Sequence, residues 1–78
     1  MNKIELTIRQ LMADIFNQPI DKITVESSQD NVDNWDSLKH LDLIVALEEE
    51  FEISIPIEEV GHLTSFKIIA VVVKDLLK

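Results

Sequence analysis

Cysteine and tyrosine are missing from this chain of 78 residues, which also has one glycine and two prolines. Without cysteine it has neither disulfides nor thiolate metal sites, so we expect a reducing compartment, by default the cytoplasm. The scarcity of glycine and proline favours helices over a turn-rich β fold. The longest apolar run, Ile68 to Val73, spans six residues, whereas a membrane-spanning helix needs ~20. We therefore expect no membrane insertion, and the early charges Lys3, Glu5 and Arg9 argue against a signal peptide.

Positive charge is also scarce. Seven lysines and arginines stand against fifteen aspartates and glutamates, which gives a net charge of −8 at neutral pH. Such a chain repels nucleic acid and anionic lipid, so we expect no nucleic-acid binding and instead partners with basic patches. The balance of 46% apolar and 28% charged residues excludes intrinsic disorder. The length allows one domain at most, and we predict a single domain over residues 1–78 that acts as a monomer.

No pattern typical of an active site or a metal site is present. Asp30, Asp33 and Asp36 lack the alternate spacing, central glycine and closing glutamate of a calcium loop. The two histidines are far apart, and there is no glycine-rich loop. We expect His40 to be packed or half-exposed and His62 to lie in a surface loop. The chain is therefore predicted to have no catalytic residues, to bind no metal and not to be an enzyme.

Apolar residues recur at helical spacing along most of the chain and predict an all-α fold. Asn2 and Glu5 form the pattern of a capping box at the first helix, Asp36 precedes the second, and Thr64 or Ser65 precedes the last. The last segment is rich in β-branched residues, but its length and the lack of a partner strand favour a helix. We predict a four-helix bundle with a long first loop and a very short third helix. The helices span Asn2 to Phe16, Ser37 to Phe51, Ile57 to Val60, and Phe66 to about Leu77.

The segment between the first two predicted helices, Gln18 to Asp36, is long for a connection in a small domain. Five apolar residues recur in it, and we expect them to pin the loop to the core: Ile20, Ile23, Val25, Val32 and Trp35. Trp35 is interpreted as a plug that fastens the loop to the start of the second helix. Ile23–Val25 and Ile53–Ile55 are candidates for a short strand pair, but two such short strands make no independent sheet.

The second predicted helix has two nearly opposite apolar faces, of which one is assigned to the core: Leu43, Ile44, Leu47 and Phe51. The other face, here called the apolar strip, consists of Leu38, Leu41 and Val45. Four carboxylates flank the strip and form the acidic rim: Asp42, Glu48, Glu49 and Glu52. The run Glu48-Glu49-Glu50 lies near the end of this helix, where carboxylates oppose the helix dipole, so we do not expect these glutamates to serve helix stability. Either the long loop covers the apolar strip, or the strip is exposed and binds a basic partner.

Ser37 opens the same helix directly after Asp36. Taken alone, a serine at this position is most often a residue of the capping region. No histidine or lysine is placed as an obvious catalytic partner, which argues against a hydrolase nucleophile. The hydroxyl lies at the positive end of a helix, where a phosphodiester on that oxygen is electrostatically favoured.

The motif Asp36-Ser37-Leu38 and its continuation resemble the acyl carrier protein family. The continuation consists of Leu41, Leu43-Ile44, Ala46 to Phe51, Ile55-Pro56 and Glu58-Glu59. The likeness covers nearly the whole chain in length and helix order. It implies that Ser37 carries a 4′-phosphopantetheine arm, which a magnesium-dependent phosphopantetheinyl transferase attaches from coenzyme A. Asp36 and Leu38 are the other implied residues of the attachment site, and the transferase recognises Asp36 together with Ser37. The thiol of the arm holds an acyl group as a thioester, which explains why the chain has no cysteine of its own.

The resemblance also makes the apolar strip and the acidic rim a docking surface. The implied partners are the transferase and acyl-loading, ketosynthase or acyltransferase enzymes of fatty acid, polyketide or other specialised lipid biosynthesis. Lys39 and His40 depart from the family, because fatty-acid carriers typically have an acidic and a small polar residue there. Asn34-Trp35 stands where peptidyl carriers usually show a glycine pair. We therefore interpret the chain as a stand-alone carrier of a specialised pathway.

Two other interpretations stay open at this point. An aminoacyl, D-alanyl or peptidyl carrier has the same arm and a different cargo, and the sequence does not name the cargo. A non-enzymatic acidic helical adaptor would use the apolar strip without any cofactor.

Overall fold

The computed structural model describes residues 2–78 and contains four α-helices. They are α1 (Lys3–Ile15), α2 (Ser37–Phe51), α3 (Ile57–Val60) and α4 (Phe66–Leu76), with a one-turn 3-10 helix (Ile20–Lys22) in the long first loop. The predicted all-α architecture with a short third helix is confirmed. No strand forms within residues 2–78, so the strand pair considered above does not exist. In the same range, no helix has both the length and the apolar character needed to cross a membrane.

Side-chain caps fix where α1, α2 and α4 begin, as the sequence predicted. At α1, the Asn2 side chain accepts a hydrogen bond from the Glu5 N–H at 2.8 Å, and Glu5 Oε1 accepts from the Asn2 N–H at 3.1 Å. This reciprocal pair is the predicted capping box. Asp36 caps α2 by accepting from the Lys39 N–H at 2.9 Å. Of the two candidates before α4, Ser65 is the cap.

The core lies where α2 and α4 pack against α1. The inner face of α2 belongs to it as predicted, with Leu43, Ile44 and Leu47 buried and Phe51 half-buried. In α4, Ile69 and Val73 are fully buried, whereas Val71 is exposed. The β-branched residues of this segment therefore follow helical periodicity, with one face in the core and the other in solvent.

The long first loop is pinned to the core by fewer residues than predicted. Ile23 is fully buried, and Val32 and Trp35 are nearly so. Ile20 and Val25 are exposed, which corrects their assignment as anchors. Both lie in tight turns at the surface, where the chain reverses and a side chain is directed to solvent.

Main-chain hydrogen bonds also join this loop to the start of α4. The Phe66 N–H donates to the Ser27 carbonyl at 2.9 Å, and the Gln29 N–H donates to the Thr64 carbonyl at 3.0 Å. These two bonds satisfy backbone groups that no regular element would satisfy. The second bond fixes the main chain of Gln29 beside the start of α4.

Candidate functional site

Ser37 is the first residue of α2, and its side chain is exposed. The bond between the Asp36 carboxylate and the Lys39 N–H stabilises the turn from which Ser37 projects. Leu38, the next residue of the motif, is also exposed. None of the side-chain hydrogen bonds within residues 2–78 involves the Ser37 hydroxyl. The structure therefore presents a solvent-accessible hydroxyl at the positive end of a helix of fifteen residues.

A buried hydrogen-bonded chain lies beneath the start of α2. The indole Nε1–H of Trp35 donates to His40 Nδ1 at 3.0 Å, and His40 Nε2 lies 2.7 Å from the Val60 carbonyl. Because an indole nitrogen only donates and a carbonyl only accepts, this arrangement assigns the imidazole proton to Nε2. The indole also stacks on the Phe16 ring, with the centroids 4.8 Å apart. Trp35 is thus the predicted plug, and His40 is packed as predicted.

His40 lies one helical turn after Ser37, yet it is not placed to act as a general base. A general base needs an unoccupied nitrogen within hydrogen-bond reach of the proton it takes. Both ring nitrogens of His40 are occupied, one by Trp35 and the other by Val60. Ser37 therefore has an accessible hydroxyl that His40 is not placed to activate.

His62 and the acidic residues give no metal centre. His62 is exposed, as predicted for a surface loop. Within residues 2–78, no three histidine, cysteine, aspartate or glutamate side chains are grouped so that they could hold a metal ion.

A cleft of about 460 Å³ opens beside Ser37. Residues of the long loop and of the first two turns of α2 line it: Gln29, Trp35, Asp36, Ser37, His40 and Leu41. Its volume falls within the range of ~300–1,000 Å³ found for small-molecule sites. The sequence identified Asp36 and Ser37 as site residues but missed Gln29. The position of Gln29 depends on its main-chain bond to Thr64, and no local sequence pattern signals that contact.

The apolar strip of α2 is exposed to solvent. Leu38, Leu41 and Val45 expose 75%, 55% and 52% of their surface, respectively. The long loop therefore does not cover the strip, and the interpretation of an exposed apolar face is confirmed. Apolar side chains with this exposure are available to a partner without any rearrangement of the fold.

The acidic rim is present with three of its four members in the expected state: Asp42, Glu49 and Glu52 are exposed. Glu48 is half-buried, and its Oε2 accepts a hydrogen bond from the Ile55 N–H at 2.8 Å. This bond ties the segment after α2 back to the helix, a role of Glu48 that the helix dipole does not predict. The chain reverses after α2 through a left-handed residue, Glu52 (φ 52°), and after this reversal the Ile55 N–H lies beside the last turns of the helix.

Three known proteins are similar to this chain over most of its length, and each is named acyl carrier protein. The protein from Buchnera aphidicola subsp. Baizongia pistaciae is 40% identical over 74 residues, which cover 95% of each chain. The protein from Buchnera aphidicola subsp. Schizaphis graminum is 35% identical over 65 residues, 83% of this chain and 82% of that protein. The protein from Akkermansia muciniphila is 34% identical over 64 residues, 82% of this chain and 80% of that protein.

A family model agrees with these similarities. The model described as the phosphopantetheine attachment site matches residues 7–70, a range that contains α2 and every residue lining the cleft. On the strength of this match and of the relatives above, the chain belongs to the phosphopantetheine attachment site family, whose members bear this arm as a covalent cofactor.

Proposed function

We propose that the protein is an acyl carrier protein that carries its phosphopantetheine arm on Ser37. The observation that carries the proposal is the exposed side chain of Ser37. It is the first residue of α2, directly follows the cap Asp36 and lies within residues 7–70, which the family model matches. The attachment forms a bond between Ser37 Oγ and the phosphorus of coenzyme A that bears the pantetheine. The pyrophosphate P–O bond to the nucleotide part breaks, the nucleotide part leaves with its own phosphate, and the hydroxyl proton of Ser37 is released. The thiol of the arm supplies the thioester chemistry.

The residues around Ser37 fit a phosphodiester. The free N–H groups and the dipole at the start of α2 favour negative charge on the serine oxygen. Asp36 is occupied with the Lys39 N–H, so its carboxylate serves the helix cap rather than the arm. In our proposal Asp36 and Leu38 flank the attachment point and are recognised by the transferase that modifies it.

The proposed docking surface is the apolar strip together with Asp42, Glu49 and Glu52. Family members work by interacting with partner enzymes. An exposed apolar strip beside carboxylates suits partners with basic patches, because opposite charges speed the encounter and apolar contact then stabilises the complex. We propose as partners the phosphopantetheinyl transferase and the loading, ketosynthase or acyltransferase enzymes of a lipid pathway, in the cytoplasm.

Attachment of the arm is the first test of the proposed function. The protein is incubated with coenzyme A, magnesium and a broad-specificity phosphopantetheinyl transferase, and its intact mass is measured. We expect a single arm on the wild type and none on Ser37→Ala. The control is Ser54→Ala, which removes another exposed serine and is expected to gain the arm normally.

The circular dichroism of Ser37→Ala is expected to match the wild type, because the Ser37 hydroxyl takes no part in the side-chain hydrogen bonds of residues 2–78. A wild type that never gains the arm contradicts the proposed function, as does a folded Ser37→Ala variant that still gains it. Gain of the arm also separates a carrier from a cofactor-free adaptor.

A further inference from the structure

We propose that the cleft beside Ser37 is a binding site for the neutral, amide-containing part of the arm, so that the unloaded arm lies between Gln29 and Leu41 over the ring of Trp35. This inference rests on the proposed attachment at Ser37. It assigns a ligand to the cleft and a recognition role to Gln29.

Ser37 itself lines the cleft, so the arm would start at the edge of its own binding site. A ligand tethered by a short flexible link has an effective concentration of ~mM at a site within reach of the tether. Weak contacts are therefore enough to populate a bound position. The volume of about 460 Å³ is sufficient for a group of small-molecule size.

The floor of the cleft and the main chain of its loop side are fixed before any ligand arrives. Trp35 is only 8% exposed, because its ring is stacked on Phe16 and its N–H is bound to His40. The main chain of Gln29 is held by the bond from its N–H to the Thr64 carbonyl. Because these parts are already in place, binding has to order only the exposed side chains of Gln29 and Leu41, which lowers its entropic cost.

The groups that line the cleft match the chemistry of pantetheine, which combines amides with a methyl-bearing apolar segment. The Gln29 side chain offers an amide donor and an amide acceptor, and none of the side-chain hydrogen bonds within residues 2–78 uses it. Trp35 and Leu41 supply apolar surface for the methyl groups. The nitrogens of His40 are already paired, so His40 offers a ring surface and no competing donor.

The alternative position for the arm is the side of α2 that faces α3. On that side the bond between His40 Nε2 and the Val60 carbonyl, 2.7 Å long, ties the two helices together. An arm that entered between them would break this bond and leave polar groups without partners, which is costly in a partly buried place. The cleft on the loop side requires no such opening, and for this reason we assign the arm to it.

Trp35 is the only tryptophan in the chain, so its fluorescence reports on the cleft directly. The experiment compares quenching by acrylamide in the apo protein and in the protein whose mass shows the arm. We expect a loss of quenching when the arm is attached, because the arm covers the exposed edge of the ring. Nuclear magnetic resonance of the same pair is expected to show a shift of the side-chain amide signals of Gln29.

A matched pair of variants isolates the contribution of Gln29. Gln29→Ala is prepared with the arm attached, as confirmed by its intact mass, and acrylamide is expected to quench its Trp35 fluorescence nearly as strongly as in the apo protein. Gln10→Ala removes the same kind of side chain from the exposed face of α1, and it is expected to behave as the wild type. If the arm no longer shields Trp35 from acrylamide in either variant, the effect comes from the fold in general, and a specific role of Gln29 is contradicted.

The outcomes are separable from those of the proposed function. If no arm is gained, the proposed function fails and the cleft has no ligand to receive. If the arm is gained and neither Trp35 nor Gln29 changes, the arm stays in solvent and the inference is wrong. If the shifts fall instead between α2 and Val60, the arm takes the alternative position, which also overturns it.

Discussion

His40 on α2 and Val60 on α3 are joined by a hydrogen bond of 2.7 Å between the imidazole Nε2 and the main-chain carbonyl. Helix α3 has four residues and no side-chain cap, and so short a helix has no stability of its own in water. Its position depends on the buried residues that flank it, Ile55 and Leu63, and on this bond. Because His40 is also bound to Trp35, the wall of the cleft and α3 belong to one hydrogen-bonded chain.

Replacement of His40 by alanine is expected to destabilise the protein and to loosen α3. The change leaves the Trp35 N–H and the Val60 carbonyl without their partner, and a lost partner of a buried polar group costs about 1–3 kcal/mol. Urea unfolding measures the loss, and hydrogen exchange of residues 57–60 should show faster opening. The control is His62→Ala at an exposed histidine, where the change should stay within ~0.5 kcal/mol. Equal stability of the two variants would contradict the structural role of His40.

Glu48 and Glu49 are neighbours in sequence, and their removal is expected to have opposite consequences. Glu48→Ala removes the acceptor for the Ile55 N–H, and hydrogen bonds to charged groups contribute about 1.5–3 kcal/mol. Glu49→Ala removes an exposed negative charge from the unfavourable end of the helix dipole, so its stability should be unchanged or slightly higher. Urea unfolding of the two variants tests this difference. A Glu48→Ala variant as stable as Glu49→Ala would show that the bond to Ile55 does not stabilise the fold.

The helices and the position of Ser37 at the start of α2 could be predicted from the sequence because their signals are local. A capping box such as that of Asn2 and Glu5 spans three residues, and the apolar period of a helix repeats within each turn. The role of Glu48 is not local, because it depends on the reversal after α2 and on the N–H of Ile55. In the same way, Arg9 Nε donates to the carbonyls of Ile20 and Ile23 at 3.1 and 2.7 Å, eleven and fourteen residues away. The apolar period carries no information about such pairings.

The exposure of the apolar strip also could not be predicted from the sequence. A helical wheel places Leu38, Leu41 and Val45 on one face, but it does not say whether the long loop crosses that face. The path of the loop is set by Trp35 and by the main-chain bonds that join it to α4. These contacts hold the loop away from the strip.

Added salt is expected to raise the melting temperature. The chain has fifteen acidic and seven basic residues, and the excess acidic residues repel one another in the folded state. The two ion pairs within residues 2–78, Lys67 with Glu26 at 3.2 Å and Lys78 with Asp75 at 3.6 Å, are exposed and contribute little. Salt screens the repulsion, as should millimolar magnesium. Thermal melts at increasing sodium chloride concentration test the effect. The melting temperature of Glu49→Gln, which has one negative charge fewer, should rise less with salt. A melting temperature that does not change with salt would show that charge repulsion does not destabilise the fold.

Lys39 is expected to weaken the interaction with fatty-acid synthase enzymes. It lies in the first turn of α2, two residues after Ser37 and next to Leu38 of the apolar strip, and it places a cation where basic docking patches favour negative charge. Lys39→Asp should therefore increase turnover by a generic fatty-acid ketosynthase. Lys22→Asp makes the same charge change in the 3-10 turn of the loop and should have a smaller effect. Equal gains in the two variants would assign the effect to net charge, and no gain in either would show that Lys39 does not affect the choice of partner.

The two faces of α2 are expected to respond differently to truncation. Leu47 is fully buried, and Leu47→Ala should cost ~2–5 kcal/mol, because a buried leucine loses its burial and leaves a cavity. Leu41→Ala and Val45→Ala act on side chains that are about half exposed, so each should change stability by no more than ~0.5 kcal/mol. Urea unfolding measures these differences at equilibrium.

The rates at which partner enzymes act on these variants should follow the opposite order to the losses of stability. At a temperature where all three are folded, Leu41→Ala and Val45→Ala should slow loading by the transferase and acyl transfer by later enzymes, because they remove apolar contact area from the proposed docking surface. Leu47→Ala leaves that surface intact and should be loaded at nearly the wild-type rate. Melts and loading rates are therefore measured on the same preparations. If Leu41→Ala and Val45→Ala are stable and are still loaded at the wild-type rate, the apolar strip is not where the partners bind. If Leu47→Ala, still folded, is the variant that loads slowly, loading depends on the core of the bundle rather than on the exposed face of α2.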